Sequence, residues 1–148
     1  VMAETLEGNV KISTIENYEK RVLEARKNIK DSHYSNIIHL IEEDASKVLK
    51  ELVEKEEKYD FIFMDAAKGQ YINWLEPVIK LLNKEGVLCS DNVLQGGDIV
   101  QSRYLIERRD RSIHSRLREY LYELTHREEL STTILSLGDG VALTVLKK

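Results

Sequence analysis

Short apolar runs alternate with amphipathic helical stretches along most of this chain, and that alternation limits its fold more than any other feature. Residues 9–15 are β-branched and alternating, which predicts a strand ending at Glu16. In residues 17–29, Tyr18, Val22, Ala25 and Ile29 fall on one helical face. Residues 36–41 form the next strand, ending near Glu43-Asp44, and 45–58 repeat a helical pattern through Val48, Leu49, Leu52 and Val53. Residues 61–64 (Phe-Ile-Phe-Met) and 87–90 read as two more strands, buried ones. Between them 69–83 is helical, with Ile72, Leu75, Ile79 and Leu82 on one face, Pro77 as a kink or new first turn, and a turn at Asn83-Lys84-Glu85-Gly86. This order requires a parallel sheet with helices on both faces. The pattern then changes. Residues 111–127 are helical through Leu117, Tyr120, Leu121 and Leu124. The segments 132–137 and 141–146, joined at Gly138-Asp139-Gly140, make an antiparallel hairpin.

The 148 residues suit one domain, with no repeat or linker to argue for a second. No apolar stretch approaches the ~20 residues of a membrane span, and no signal peptide is visible. One cysteine, Cys89, excludes an internal disulfide and a Cys-based zinc site, and its strand position makes it a small core residue. The expected compartment is cytoplasmic. A net charge of −4 confines any nucleic-acid binding to a local patch.

Two strands end in acids. Phe61-Ile62-Phe63-Met64 leads into Asp65-Ala66-Ala67-Lys68, and Gly86-Val87-Leu88-Cys89-Ser90 leads into Asp91-Asn92. Side by side, the strands would bring Asp65, Asp91 and Asn92 to the rim where open α/β sheets bind ligands. Two carboxylates and an amide are hard oxygen donors suited to Mg²⁺ or Ca²⁺, and Lys68 could act as a base beside the ion. Other readings stay open. Asp65 and Asp91 could cap helices, and Lys68 could be a solvated lysine. Glu16 could be a cap, or bind the ribose of a nicotinamide cofactor. Asp44 could simply open a helix. Trp74 suits core packing, and Tyr71 could line an acceptor pocket. The four histidines show no metal-ligand spacing and read as structural or surface groups.

The two acidic motifs, with Leu137-Gly138-Asp139-Gly140-Val141, resemble the cation-dependent class I O-methyltransferases. That family includes the catechol and caffeoyl-CoA enzymes and bacterial tRNA 5-hydroxyuridine methyltransferases. The resemblance implies a Rossmann-like α/β fold, mostly parallel with a C-terminal antiparallel hairpin. It implies S-adenosylmethionine as methyl donor and Mg²⁺ (or Mn²⁺ or Ca²⁺) held by Asp65, Asp91 and Asn92. Lys68 becomes the catalytic residue beside the acceptor hydroxyl. Glu16 becomes the ribose ligand, Asp44 and Ala45 lie near the adenine, and Asp65 also counts among the cofactor contacts. A homodimer is implied as well. The family's first strand and Gly-rich loop would precede Val1, so residues 1–148 are expected to be the C-terminal portion of one methyltransferase domain, a fragment of a longer protein. The one glycine before Glu16, Gly8, reads as a turn in Glu7-Gly8-Asn9.

Between Arg103 and Arg118 six arginines face two acids. Arginine forks suit phosphate, so this stretch next to Asp91-Asn92 points to an anionic substrate. It resembles the corresponding segment of the tRNA enzymes. On that likeness the acceptor is 5-hydroxyuridine in tRNA, with Arg108, Arg109 and Arg111 contacting substrate. The alternatives are a small catechol-like acceptor, or a truncated chain that is not catalytic.

Overall fold

The computed structural model describes residues 1–6 and 10–147; the expected turn at Glu7-Gly8-Asn9 and the start of the first strand lie outside them. The chain divides into two compact units, residues 1–51 and 52–148.

The first unit opens with a short helix, α1 (Met2–Thr5). It continues as β1 (Ile12–Ile15), α2 (Glu19–Lys30), β2 (Ile38–Ile41) and most of α3 (Ala45–Glu54). β1 and β2 pair in parallel, from Ile12 opposite Ile38 to Ile15 opposite Ile41. A two-residue period fits β1, and its β-branched residues suit a pleated surface. In α2 the side chains spaced for one face are the least exposed: Val22 is buried, and Ala25 and Ile29 are half-buried. Tyr18 precedes the helix and is exposed. Val48 and Leu49 are the buried pair of α3.

The second unit contains β3 (Tyr59–Met64), a 3₁₀ turn (Lys68–Gln70), α4 (Tyr71–Leu81) and β4 (Leu82–Asp91). A second 3₁₀ segment (Gln95–Val100), α5 (Arg111–His126), β5 (Leu130–Leu135) and β6 (Val141–Leu146) complete it. Its sheet runs β3-β4-β6-β5, with β3 parallel to β4 and the β5–β6 hairpin antiparallel, as the sequence pattern requires. The expected turn at residues 83–86 is present as a bulge inside β4. Tyr59 pairs with Leu82 and Phe61 with Val87, so Asp60 alone faces four residues. Asn83 Nδ2 donates to Asp60 Oδ1 at 2.7 Å across that bulge. A Cβ on Gly86 would lie 2.7 Å from the Asn83 carbonyl oxygen.

Three expectations change here. In α4 the buried side chains are Tyr71, Trp74, Leu75, Val78 and Leu81, so the inward face is rotated from the one drawn through Ile72 and Ile79. The helix is apolar on most sides, and periodicity alone does not choose between adjacent faces. Pro77 lies inside α4, removing one ladder bond, and the helix continues to Leu81. Both long helices of this unit cover the same face of its sheet. Ser90 and Thr144 on that face are fully buried. Tyr120 of α5 meets Ser90 and packs edge-on against Tyr71 of α4, with ring centroids 5.3 Å apart. On the other face Phe61 and Phe63 are 46% and 49% exposed, and Cys89 is half-exposed, so neither β3 nor Cys89 is the buried core element expected. Among the described residues β3 pairs with β4 alone, and an apolar run does not reveal whether both of its faces are covered.

Candidate active site

The register of β3 and β4 builds the site. Met64 pairs with Ser90, so Asp65 and Asp91 leave the sheet beside each other at its C-terminal rim. Asn92 follows with a left-handed φ of 54°, a conformation that Asn tolerates better than most residues. Asp91 Oδ1 accepts the Asn92 N–H at 2.8 Å. The loop beyond is stitched to the β5–β6 turn: Val93 N–H donates to Gly140 O at 3.0 Å and Leu94 N–H to Asp139 O at 2.9 Å. Asn92 Nδ2 donates to Asp139 Oδ2 at 3.3 Å, which leaves Oδ1 as the atom Asn92 offers to a cation.

Lys68 lies against the first acid. Its Nζ donates to Asp65 Oδ1 at 3.0 Å and to the Tyr71 hydroxyl at 3.0 Å. The lysine side chain is 18% exposed and that of Asp65 is 55% exposed. Burial pushes the Lys68 ammonium down, but its hydrogen bonds to Tyr71 and Asp65 and their charges outweigh that. Its pKa therefore stands above the ordinary lysine value, the reverse of what a base needs. Tyr71 is completely buried, so it sits beneath the site and is no surface lining an acceptor pocket.

These oxygens fit a hard divalent cation by chemistry and by their shared rim. Among the described residues no group of three or more His, Cys, Asp and Glu side chains converges as a metal site. The set here is two carboxylates and an amide, and the Lys68 ammonium balances Asp65.

In the first unit the two acids assigned to the cofactor act as backbone caps. Glu16 Oε1 accepts the N–H groups of Asn17 and Tyr18 at 3.0 and 2.9 Å, and its Oε2 lies 3.8 Å from Arg21. Asp44 Oδ1 accepts Ser46 N–H at 2.9 Å and Lys47 N–H at 3.4 Å, opening α3, with Ala45 as the first helical residue. Each acid keeps its second oxygen outside these caps.

Most of the arginines serve the protein itself. Arg109 pairs with Glu107 at 3.0 Å and Asp110 at 3.3 Å. Arg111 donates to the carbonyls of Ile106 and Tyr104, Arg116 to Gly69 O, and Arg118 to Gln101 O. Among the described residues, the side chains of Arg103 and Arg108 make no hydrogen bond or ion pair; the Arg103 carbonyl accepts the Ile106 N–H at 3.3 Å. A high arginine count therefore overstates the charge available to a ligand. His114, one of the histidines read as structural or surface, is buried, with Nε2 3.2 Å from Asp98 O.

Asp139 and Gly140 were missed as site residues. The Gly-Asp-Gly triplet signals a turn, and nothing in it shows which loop the turn supports. At Gly140, φ is +88° and a Cβ would lie 2.3 Å from Leu94 Cγ.

The O-methyltransferase family model matches residues 1–148. The chain belongs to the O-methyltransferase family. It is 35% identical over 122 residues to the flavonoid 3',5'-methyltransferase of Vitis vinifera, covering 78% of this chain and 51% of that protein. It is 33% identical over 116 residues to the caffeoyl-CoA O-methyltransferase of Citrus natsudaidai, covering 72% and 48%. The chain spans about half the length of the curated relatives it matches. The solved O-methyltransferase from Bacillus cereus in complex with SAH superposes with a TM-score of 0.80 at 25% identity, over 93% of this chain and 63% of that one. The fold is thus the α/β Rossmann-like fold of the class I O-methyltransferases, parallel strands finished by an antiparallel hairpin. Among the described residues no helix is long and apolar enough to cross a membrane.

Proposed function

We propose that this chain is the C-terminal portion of a single-domain O-methyltransferase that moves the methyl group of S-adenosylmethionine to a hydroxyl of a small phenolic acceptor, with a divalent cation at Asp65, Asp91 and Asn92. The observation that carries it is the adjacency of Asp65 and Asp91 across the Met64–Ser90 register, with Lys68 Nζ 3.0 Å from Asp65. Methyl transfer is an in-line displacement: the acceptor oxygen attacks the methyl carbon, the sulfonium leaves as a neutral thioether, and the hydroxyl proton must go elsewhere. A bound divalent cation lowers the pKa of a coordinated hydroxyl and fixes its place. Asp65, Asp91 and Asn92 supply the two negative charges and one neutral oxygen for it. Lys68 would take the acceptor proton once the charge of the cation beside it had lowered its pKa from the raised position that Tyr71 and Asp65 give it. Holding donor and acceptor in line supplies much of the remaining rate. Glu16 would bind the ribose through Oε2, and Asp44 and Ala45 would border the adenine. A small phenolic acceptor is favoured by the relatives named for flavonoid and caffeoyl-CoA methylation and by the internal use of most arginines. The resemblance to the cation-dependent methyltransferases further implies a homodimer.

The test uses the protein expressed from its whole gene, with S-adenosylmethionine, Mg²⁺ and catechol, read by product mass. Asp91→Ala and added chelator are each expected to abolish methyl transfer. Near-normal turnover with chelator present would overturn the cation reading. A second reading, tRNA methylation at 5-hydroxyuridine, is favoured by one observation: the guanidinium groups of Arg103 and Arg108, close in sequence to Asp91-Asn92, are without partners among the described residues. Methylation of tRNA with none of catechol would select it.

A further inference from the structure

Tyr71, expected to line an acceptor pocket, is buried instead, and its hydroxyl touches the ends of both acid-bearing strands and Lys68. The side chain is completely buried at the first position of α4. Its oxygen lies 2.8 Å from Met64 O at the end of β3 and 3.2 Å from Asp91 O at the end of β4. It also accepts Lys68 Nζ at 3.0 Å and the Ala66 N–H at 3.3 Å. A phenol has one proton and two lone pairs, so four polar neighbours use it fully. The single proton goes mainly to Met64 O, the nearer carbonyl. The β3–β4 pairing ends at Met64 and Ser90, and beyond it this hydroxyl is a link between the two acid-bearing ends. The ring is held in turn by Tyr120, edge-on at an interplanar angle of 67°.

We infer that Tyr71 is a positioning residue that aims Lys68 at the acceptor. The nitrogen of Lys68 is tetrahedral. One position is bonded to Cε, and two hydrogens are directed by Asp65 Oδ1 and the Tyr71 oxygen. Those three directions fix the fourth, the one that meets the acceptor hydroxyl. Asp65 alone, with a half-exposed carboxylate, would leave Nζ free to swing about one bond. The inference rests on the proposed reading that Lys68 lies beside the acceptor hydroxyl.

The experiment compares wild type, Tyr71→Phe, Lys68→Met and the double variant in the full protein, with S-adenosylmethionine, Mg²⁺ and catechol. Phe keeps the ring against Tyr120 and removes the hydroxyl alone. Tyr71→Phe is expected to lower kcat by about 10- to 100-fold, with KM for S-adenosylmethionine within about twofold. In the Lys68→Met background the same change should cost nothing further. Mn²⁺ affinity, read by electron paramagnetic resonance without turnover, should stay within about threefold of wild type. An equal loss in both backgrounds, or a fall in Mn²⁺ affinity matching the fall in kcat, would overturn the inference and leave the role of Lys68 standing. Wild-type turnover by Lys68→Met would overturn both. If Tyr71→Phe does not fold, 3-fluorotyrosine at position 71 retains the hydroxyl as a weaker acceptor. It should lower kcat several-fold with Lys68 present and not in Lys68→Met; an unchanged kcat would count against the inference.

Discussion

Ser90 Oγ and the Tyr120 hydroxyl lie 2.6 Å apart, and both side chains are fully buried. Burial also raises the Tyr120 phenol far above its usual pKa, so it stays neutral at any working pH. The pair joins β4, one residue before Asp91, to α5. Tyr120→Phe leaves the serine hydroxyl without its partner in a dry site, and Ser90→Ala does the same to the tyrosine. An orphaned buried hydroxyl costs about 1–3 kcal/mol, so each single variant should lose about 2 kcal/mol. Removing both hydroxyls orphans nothing. The double variant should lose only about 1 kcal/mol, the net worth of the bond, which makes the coupling about 3 kcal/mol against an additive sum of about 4 kcal/mol. Urea unfolding followed by the fluorescence of Trp74, the single tryptophan, reads this directly. With a slope near 2 kcal/mol/M, each single variant should move the midpoint down by about 1 M. The reasoning fails if the double variant falls by the sum of the singles to within ~0.5 kcal/mol.

Gly140→Ala should destabilise by about 2–4 kcal/mol in the same assay, because both its φ and the approach of Leu94 oppose a Cβ. Gly138→Ala, with a φ of +54° but open space around it, should cost only about 1 kcal/mol; equal losses at the two positions would remove the argument from contact. For the second substrate reading, charge reversal at Arg103 and Arg108 together should weaken tRNA binding and flatten its salt dependence, whereas reversal at Arg109 should do little because Glu107 and Asp110 already hold it. A filter-binding titration at several salt concentrations measures both, and unchanged affinity in the Arg103/Arg108 variant at low salt would exclude those arginines from any nucleic-acid contact.

Local chemistry is what the sequence carries well. β-branched alternation, helical spacing and the Gly-Asp-Gly turn placed the strands, the helices and the hairpin, because each depends on neighbours a few residues away. The acid at the end of each of two apolar runs was enough to bring Asp65 and Asp91 to one rim, since parallel strands end on the same side. What the sequence could not contain was contact between distant segments. Tyr71 looked like a pocket residue until its hydroxyl was found bridging Met64 O and Asp91 O. Arg111, Arg116 and Arg118 looked available until carbonyls 5 to 47 residues away were found accepting their N–H groups. Phe61 and Phe63 looked buried because an apolar run is the same string whether one face of its sheet is covered or two. Residue type fixed which groups can donate, accept or carry charge; the packing of β3, β4, α4 and α5 decided which of them were already engaged and which remained for a ligand.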